Sequence, residues 1–208
     1  PMPFYKTLNF PFESEVIIWK ITESDEDLKN DLDLSSKDKF IYNSMRSSDH
    51  RKGFLSSRKI IKEMGILTDD IYKDINGKPH LKNGKFLSIT HSKEFSAVAL
   101  SKKKVGIDIE IQQQKIKNLT SKFIKNHTEI DNHDIKNLTN IWCIKESTYK
   151  AFGKKGLSLK DIKINHQDSK SYFSNFTFMQ NEFIFENWVY NWKNYSLALA
   201  IESNFHGN

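Results

Sequence analysis

Phe86-Leu87-Ser88-Ile89-Thr90-His91-Ser92, Ala97-Val98-Ala99-Leu100-Ser101 and Val105-Gly106-Ile107-Asp108-Ile109-Glu110-Ile111 are the stretches on which the fold turns. Each is a short run with strand-like alternation, and the connections between them are brief. Short connections join antiparallel neighbours, whereas parallel strands need a long crossover. The three runs therefore read as an antiparallel meander. Working outward, Val16 to Ile21 reads as an early strand and Asp31 to Met45 as a polar helix. Ser47-Ser48-Asp49 offers caps for a second helix, His50 to Met64, whose apolar face is Phe54, Leu55, Ile60 and Ile61 and whose stop is Gly65. Asn76-Gly77 and Asn83-Gly84 mark turns. Downstream, Gln112 to Asn137 has the weakest signals. Leu138 to Phe152 reads as a helix stopped by Gly153, and four strand-like runs follow: Ile162 to Ile164, Tyr172 to Met179, Glu182 to Trp188 and Tyr195 to Ile201.

Both halves thus run from a glycine-stopped helix into several strands. The expectation is an α+β fold of two similar lobes, residues 1–103 and 104–208, packed closely with a ligand cleft between them.

Composition narrows the function. The chain has 208 residues, 38% of them hydrophobic, with 15 Phe, 7 Tyr and 4 Trp, which suffices for a core and excludes a disordered composition. No apolar run approaches the ~18 residues of a membrane span. The opening Pro1-Met2-Pro3-Phe4 lacks the pattern of a signal peptide, and Pro1 reads as a cloning remnant. The only cysteine, Cys143, excludes an internal disulfide and a multi-cysteine metal site, so a cytoplasmic protein is expected. The net charge of +6 is spread over lysines, arginine occurring only at 46, 51 and 58, and no nucleic-acid-binding motif accompanies it. Nucleic-acid and membrane partners are not expected. The phosphate-binding and dinucleotide-binding glycine loops and the nucleophile elbow are absent, which argues against the enzyme classes built on them.

Two segments carry the chemistry. In Val105–Ile111 alternation sets Asp108 and Glu110 on one face with Gly106, opposite Val105, Ile107, Ile109 and Ile111. Two carboxylates at that spacing can share one cation and repel each other without it. In Trp142-Cys143-Ile144-Lys145-Glu146-Ser147-Thr148-Tyr149-Lys150, Glu146 and Lys150 lie one turn apart on one helix face. Alone, such a pair is an ordinary exposed contact worth a few tenths of a kcal/mol. Together, three acids and a cation suit Mg²⁺ and a phosphorylated ligand. The hydroxyl-rich strand end Ser88-Ile89-Thr90-His91-Ser92 suits phosphate or ribose. Lys78-Pro79 is presented from a restrained turn, and Arg51 and Arg58 share a helix face.

In this order, Gly77-Lys78-Pro79, Ser88 to Ser92, Gly106 to Glu110, Trp142 to Lys150 and Gly153-Lys154-Lys155-Gly156-Leu157 resemble the 4′-phosphopantetheinyl transferases of the monomeric, surfactin-synthetase-activating type. The resemblance runs from about His50 to Leu159. It implies two α+β lobes related by a pseudo-twofold, each a small antiparallel sheet packed on helices, with coenzyme A between them. It also implies transfer of the phosphopantetheine arm to a serine of an acidic apo acyl or peptidyl carrier protein.

By position, Asp108, Glu110 and Glu146 would hold Mg²⁺, with Mn²⁺ as an alternative. Lys150 would meet the pyrophosphate. Lys78, Pro79, Thr90, Ser92 and Lys154 would line the coenzyme A site, with His91 and Arg51 at its 3′-phosphate. The general base would be Glu146 or Glu129. Lys37 and Lys39 are the basic residues near the first arginine helix, and their register is open. The rival readings are a different nucleotide-binding Mg²⁺ transferase and a non-catalytic relative that binds coenzyme A or a carrier.

Overall fold

A computed structural model describes residues 4–125, 134–168 and 170–203. The chain forms an α+β fold with two antiparallel sheets, divided into compact units at residues 1–102 and 103–208.

The first unit contains strands β1 (Phe4–Phe10), β2 (Ser14–Lys20), β3 (Ile71–Lys73), β4 (Pro79–Leu81), β5 (Phe86–Ser92) and β6 (Phe95–Ser101), in the order β1-β2-β6-β5-β4-β3. Its helices are α1 (Asp25–Asn30), α2 (Ser36–Ser44) and α3 (Ser48–Glu63). Helix α3 starts where the Ser47 hydroxyl accepts from the His50 amide. It buries Ile60 and Ile61 against Ile17, Trp19, Leu87 and Val98, and Leu55 against Leu28 and Leu34. This apolar contact fixes α3 on one face of the sheet.

The expected helix from Asp31 to Met45 is instead the later of two short helices. Asp31 closes α1, Leu34 turns inward to pack on Leu28 and Leu55, and the Ser35 hydroxyl accepts from the Asp38 amide to begin α2. Strand β1 was not foreseen. It sits at the sheet edge, paired only with β2.

The meander is also corrected. The β5–β6 hairpin forms as expected, but the third run does not continue that sheet. Residues 102–104 lead it out, and Val105–Ile111 becomes β7 of the second unit, paired with β11 (Tyr195–Glu202). The amide of Glu202 donates to the Lys104 carbonyl, and the two side chains pair at 2.7 Å. A short connection therefore joined two sheets rather than two strands of one sheet.

The second sheet runs β7-β11-β10-β9-β8, with β8 at Lys163–His166, β9 at Ser171–Phe178 and β10 at Asn181–Trp192. Helix α5 (Ile135–Phe152) lies across it, starting at the Asp134 cap and ending at Gly153. Ala151 and Phe152 pack on Phe176, Phe185 and Ala200, while Cys143 and Ile144 pack on Val189 and Ala198. The weak-signal stretch before α5 has a small core of its own. A 3-10 turn at Gln114–Leu119 and helix α4 (Thr120–Phe123) bury Ile116, Phe123 and Ile124 against Leu138.

Candidate active site

Position 106 sets how closely α5 can approach β7. A Cβ built there would stand 1.9 Å from the Ser147 carbonyl oxygen and 2.5 Å from the Ala151 nitrogen. Only glycine lets the helix backbone rest directly on the strand. That approach brings the alternate-face acids of β7 under the last two turns of α5. Lys150 Nζ donates to Asp108 Oδ1 at 2.7 Å and to the Ile107 carbonyl at 3.1 Å. Asp108 is buried at 5% exposure, so it is not a solvent-facing edge residue.

The electrostatics show that the three acids share one neighbourhood. Burial raises the Glu110 carboxyl to about 7, with the Asp108 and Glu146 charges adding to the rise and the Lys150 and Lys115 charges opposing it. Burial likewise raises Glu146, helped by the Asp108 charge and opposed by Lys150. For Lys150, burial alone would lower the pKa. The charge and hydrogen bond of Asp108, with the Glu146 charge, outweigh it and raise the ammonium's pKa. Cys143, buried beneath this group, has its thiol pushed well up by burial and by the Asp108 and Glu110 charges. It is an inert packing residue here.

The donor set is chemically right for a hard divalent cation: oxygen ligands, and carboxylates whose mutual repulsion a cation would relieve. Among the described residues, though, no group of three or more His, Cys, Asp or Glu side chains converges on one point suited to a metal. In this arrangement an Asp108 oxygen is engaged by Lys150.

The rotation of α5 is fixed from behind. Thr148 Oγ1 donates to the Ile144 carbonyl at 2.8 Å, lies 2.7 Å from Ser174 Oγ and accepts from Asn187 Nδ2 at 3.0 Å, all buried. Lys145, beside Glu146 in sequence, turns to another side and donates to the Phe123 carbonyl at 2.7 Å. It ties α4 to α5. Lys154 lies exposed just beyond the helix, its ammonium 5.8 Å from the Phe152 ring centre. Glu129 lies outside the described residues.

In the first unit, Lys78 and Pro79 leave the β3–β4 turn, which Asp74 builds. Its Oδ1 accepts from the Asn76 and Lys78 amides at 2.8 and 3.0 Å, and its Oδ2 pairs with His80 at 2.9 Å. These hydrogen bonds, the His80 contact first, hold the Asp74 carboxyl below its ordinary range. Thr90 is buried in β5, while His91 and Ser92 at the strand end reach the surface region. The His91 ring packs edge-on to His50, 6.0 Å away.

Arg51 is already engaged. Its Nε donates to Asp25 at 2.7 Å and its Nη1 to the Met45 and Arg46 carbonyls at 3.2 Å, tying α3 to α1 and to the α2–α3 connection. Arg58 is held in the same way, with both guanidinium contacts on Asp38 at 2.9 and 3.0 Å. Sequence reading missed these clamps because Asp25 and Asp38 are far from their partners in the chain.

The acids and Lys150 all lie on β7 and α5, and the segment that contains both elements also has a family match. No curated protein matches the chain. Residues 104–200, with Asp108, Glu110, Glu146 and Lys150 among them, match the family model of the 4′-phosphopantetheinyl transferase superfamily.

Proposed function

We propose that this protein transfers the 4′-phosphopantetheine arm of coenzyme A to a serine hydroxyl of an apo acyl or peptidyl carrier protein. The observation that supports it best is the contact of Lys150 with Asp108, with Glu110 and Glu146 alongside, inside the segment that matches the family. In the reaction the serine oxygen forms a bond to the arm's phosphorus as the pyrophosphate P–O bond breaks. Adenosine 3′,5′-bisphosphate leaves, and the serine proton passes to a base.

Asp108, Glu110 and Glu146 would hold Mg²⁺, or Mn²⁺, which when bound neutralises pyrophosphate charge. Lys150, kept protonated by Asp108 and Glu146, supplies a cation to the leaving phosphate. Glu146, whose carboxyl is raised by burial and the Asp108 charge, is the first candidate to accept the serine proton. Glu129 is the second candidate for that role. Lys78, Pro79, Thr90, Ser92 and Lys154 are assigned to coenzyme A, and His91 with Arg51 to its 3′-phosphate. The +6 charge complements an acidic carrier. A monomer of the surfactin-activating type, working in the cytoplasm, is the proposed context. No described helix is long and apolar enough to cross a membrane.

The test is mass spectrometry of apo carrier proteins incubated with coenzyme A and Mg²⁺. Gain of one phosphopantetheine arm is expected, abolished by Asp108→Ala and by Glu146→Ala in folded variants. Coenzyme A binding with no transfer to any of several carriers would favour the non-catalytic reading. Parent-level turnover by either variant would reject the assignment of the acids.

A further inference from the structure

Gly53 lies in the interior of α3, a helix of 16 residues. Glycine there is less favourable than alanine, because it adds backbone freedom to the unfolded chain and buries no side chain. Gly53 is not at a cap: Ser47 and Met64 are the capping residues of this helix. What occupies the space is the His91 ring. A Cβ built on Gly53 would stand 2.4 Å from His91 Cδ2, 2.5 Å from Cγ and 3.0 Å from Nε2. The imidazole therefore lies directly against the helix backbone, with His50, three residues earlier on the same face, edge-on to it. β5 brings His91 to α3, and the missing side chain at 53 decides where along the helix its ring can rest.

We propose that Gly53 is a positioning residue that sets the imidazole of His91 for a phosphate monoester of the ligand, and so helps select coenzyme A over its 3′-dephospho form. This rests on the assignment of His91 to the 3′-phosphate. A methyl group at 53 would meet the ring before any rigid backbone outside the helix, and the histidine ring can leave by rotation about χ1, the torsion that moves Cγ. Displacement of His91, rather than unfolding, is the cheaper response. Gly53→Ala should then make the protein more stable and a poorer binder of coenzyme A. A residue with a purely structural role would move both quantities the same way.

The experiment compares the parent, Gly53→Ala, His91→Ala and the double variant. It measures the melting temperature, and KM and kcat for coenzyme A and for 3′-dephospho-coenzyme A. Gly53→Ala should raise the melting temperature by about 2–4 °C. It should raise KM for coenzyme A about tenfold, the scale of one charge-assisted hydrogen bond, with kcat little changed. KM for the dephospho substrate should not change. The double variant should be no worse than His91→Ala.

If His91→Ala weakens coenzyme A selectively and Gly53→Ala does not, the role of Gly53 is rejected while that of His91 stands. If His91→Ala has no selective effect, the assignment beneath the proposal fails and the proposal falls with it. Should Gly53→Ala not fold, the double variant, which lacks the ring, must fold and bind as His91→Ala does. Failure of the double variant to do so would show that His91 is not what fills the space, and would overturn the proposal.

Discussion

At the scale of single residues, the Lys150–Asp108 contact is the one most open to measurement. The Asp108 side chain is 8% exposed and that of Lys150 is 32% exposed, so the pair is neither a freely solvated ion pair nor a fully buried one. Removing one partner should cost about 2 kcal/mol, between the small value of surface pairs and the larger value of buried ones. A double-mutant cycle of Asp108→Asn and Lys150→Met, read by denaturant unfolding, should give a favourable coupling of about 1–2 kcal/mol. A coupling near zero would mean that the two side chains do not meet in solution.

The ingredients of this contact were legible in the sequence, since alternation placed Asp108 and helical spacing placed Glu146 with Lys150. That Lys150 pairs with Asp108 was not, because the pairing depends on the distance between β7 and α5. His91 shows the same boundary. Its place at a strand end was readable, but the Gly53 backbone it rests on lies 38 residues earlier and left only a helix-interior glycine as its signal.

At the scale of elements, Gly106 controls the spacing of β7 and α5. Its would-be Cβ meets backbone atoms of Ser147 and Ala151, which cannot rotate aside as a side chain can. Gly106→Ala should therefore cost about 1–3 kcal/mol or more, as overpacked sites do, and should abolish transfer by lifting Glu146 and Lys150 off the strand. Melting temperature and transfer rate check this together, and an alanine variant that melts like the parent would refute the close approach. The contrast with Gly53→Ala, expected to stabilise, follows from what each methyl group meets.

Elements with a strong period and a clear stop were readable to within a few residues: α3, α5 and the long strands of the second sheet. Strand β1 and the partner of β7 were not. Strand β1 buries little, with Tyr5, Lys6 and Asn9 exposed, and hydrogen-bond partners are chosen by sheet topology rather than by the length of a connection.

At the scale of the whole molecule, the raised carboxyls make stability depend on pH. Glu110 has a folded pKa of about 7 against an ordinary value of 4.5, and Glu146 is raised too. Between those values the folded state binds more protons than the unfolded state, so stability falls as pH rises. The contribution is fully present below about 4.5 and lost by about 7, and for Glu110 it amounts to roughly 3 kcal/mol at most. Thermal unfolding of the metal-free protein should show this decline, and Glu110→Gln should flatten it. Mg²⁺ should raise the melting temperature at pH 8 and have little effect at pH 5, where protons compete for the same oxygens. An equal shift at both pH values would exclude the carboxylates as the binding groups.

The hydroxyl of Thr148 works on the side of α5 away from these acids, yet it acts on them. Because it is bonded at once to Ser174 on β9 and Asn187 on β10, the helix is held to one bearing about its own axis. Thr148→Val keeps the shape but removes the hydroxyl, leaving Asn187 and Ser174 to find other partners. The helix would stay in place and lose its fixed heading, so catalysis should fall more than stability does. The heading of α5 is thus set by a buried polar contact on its far side rather than by the acids and lysine themselves.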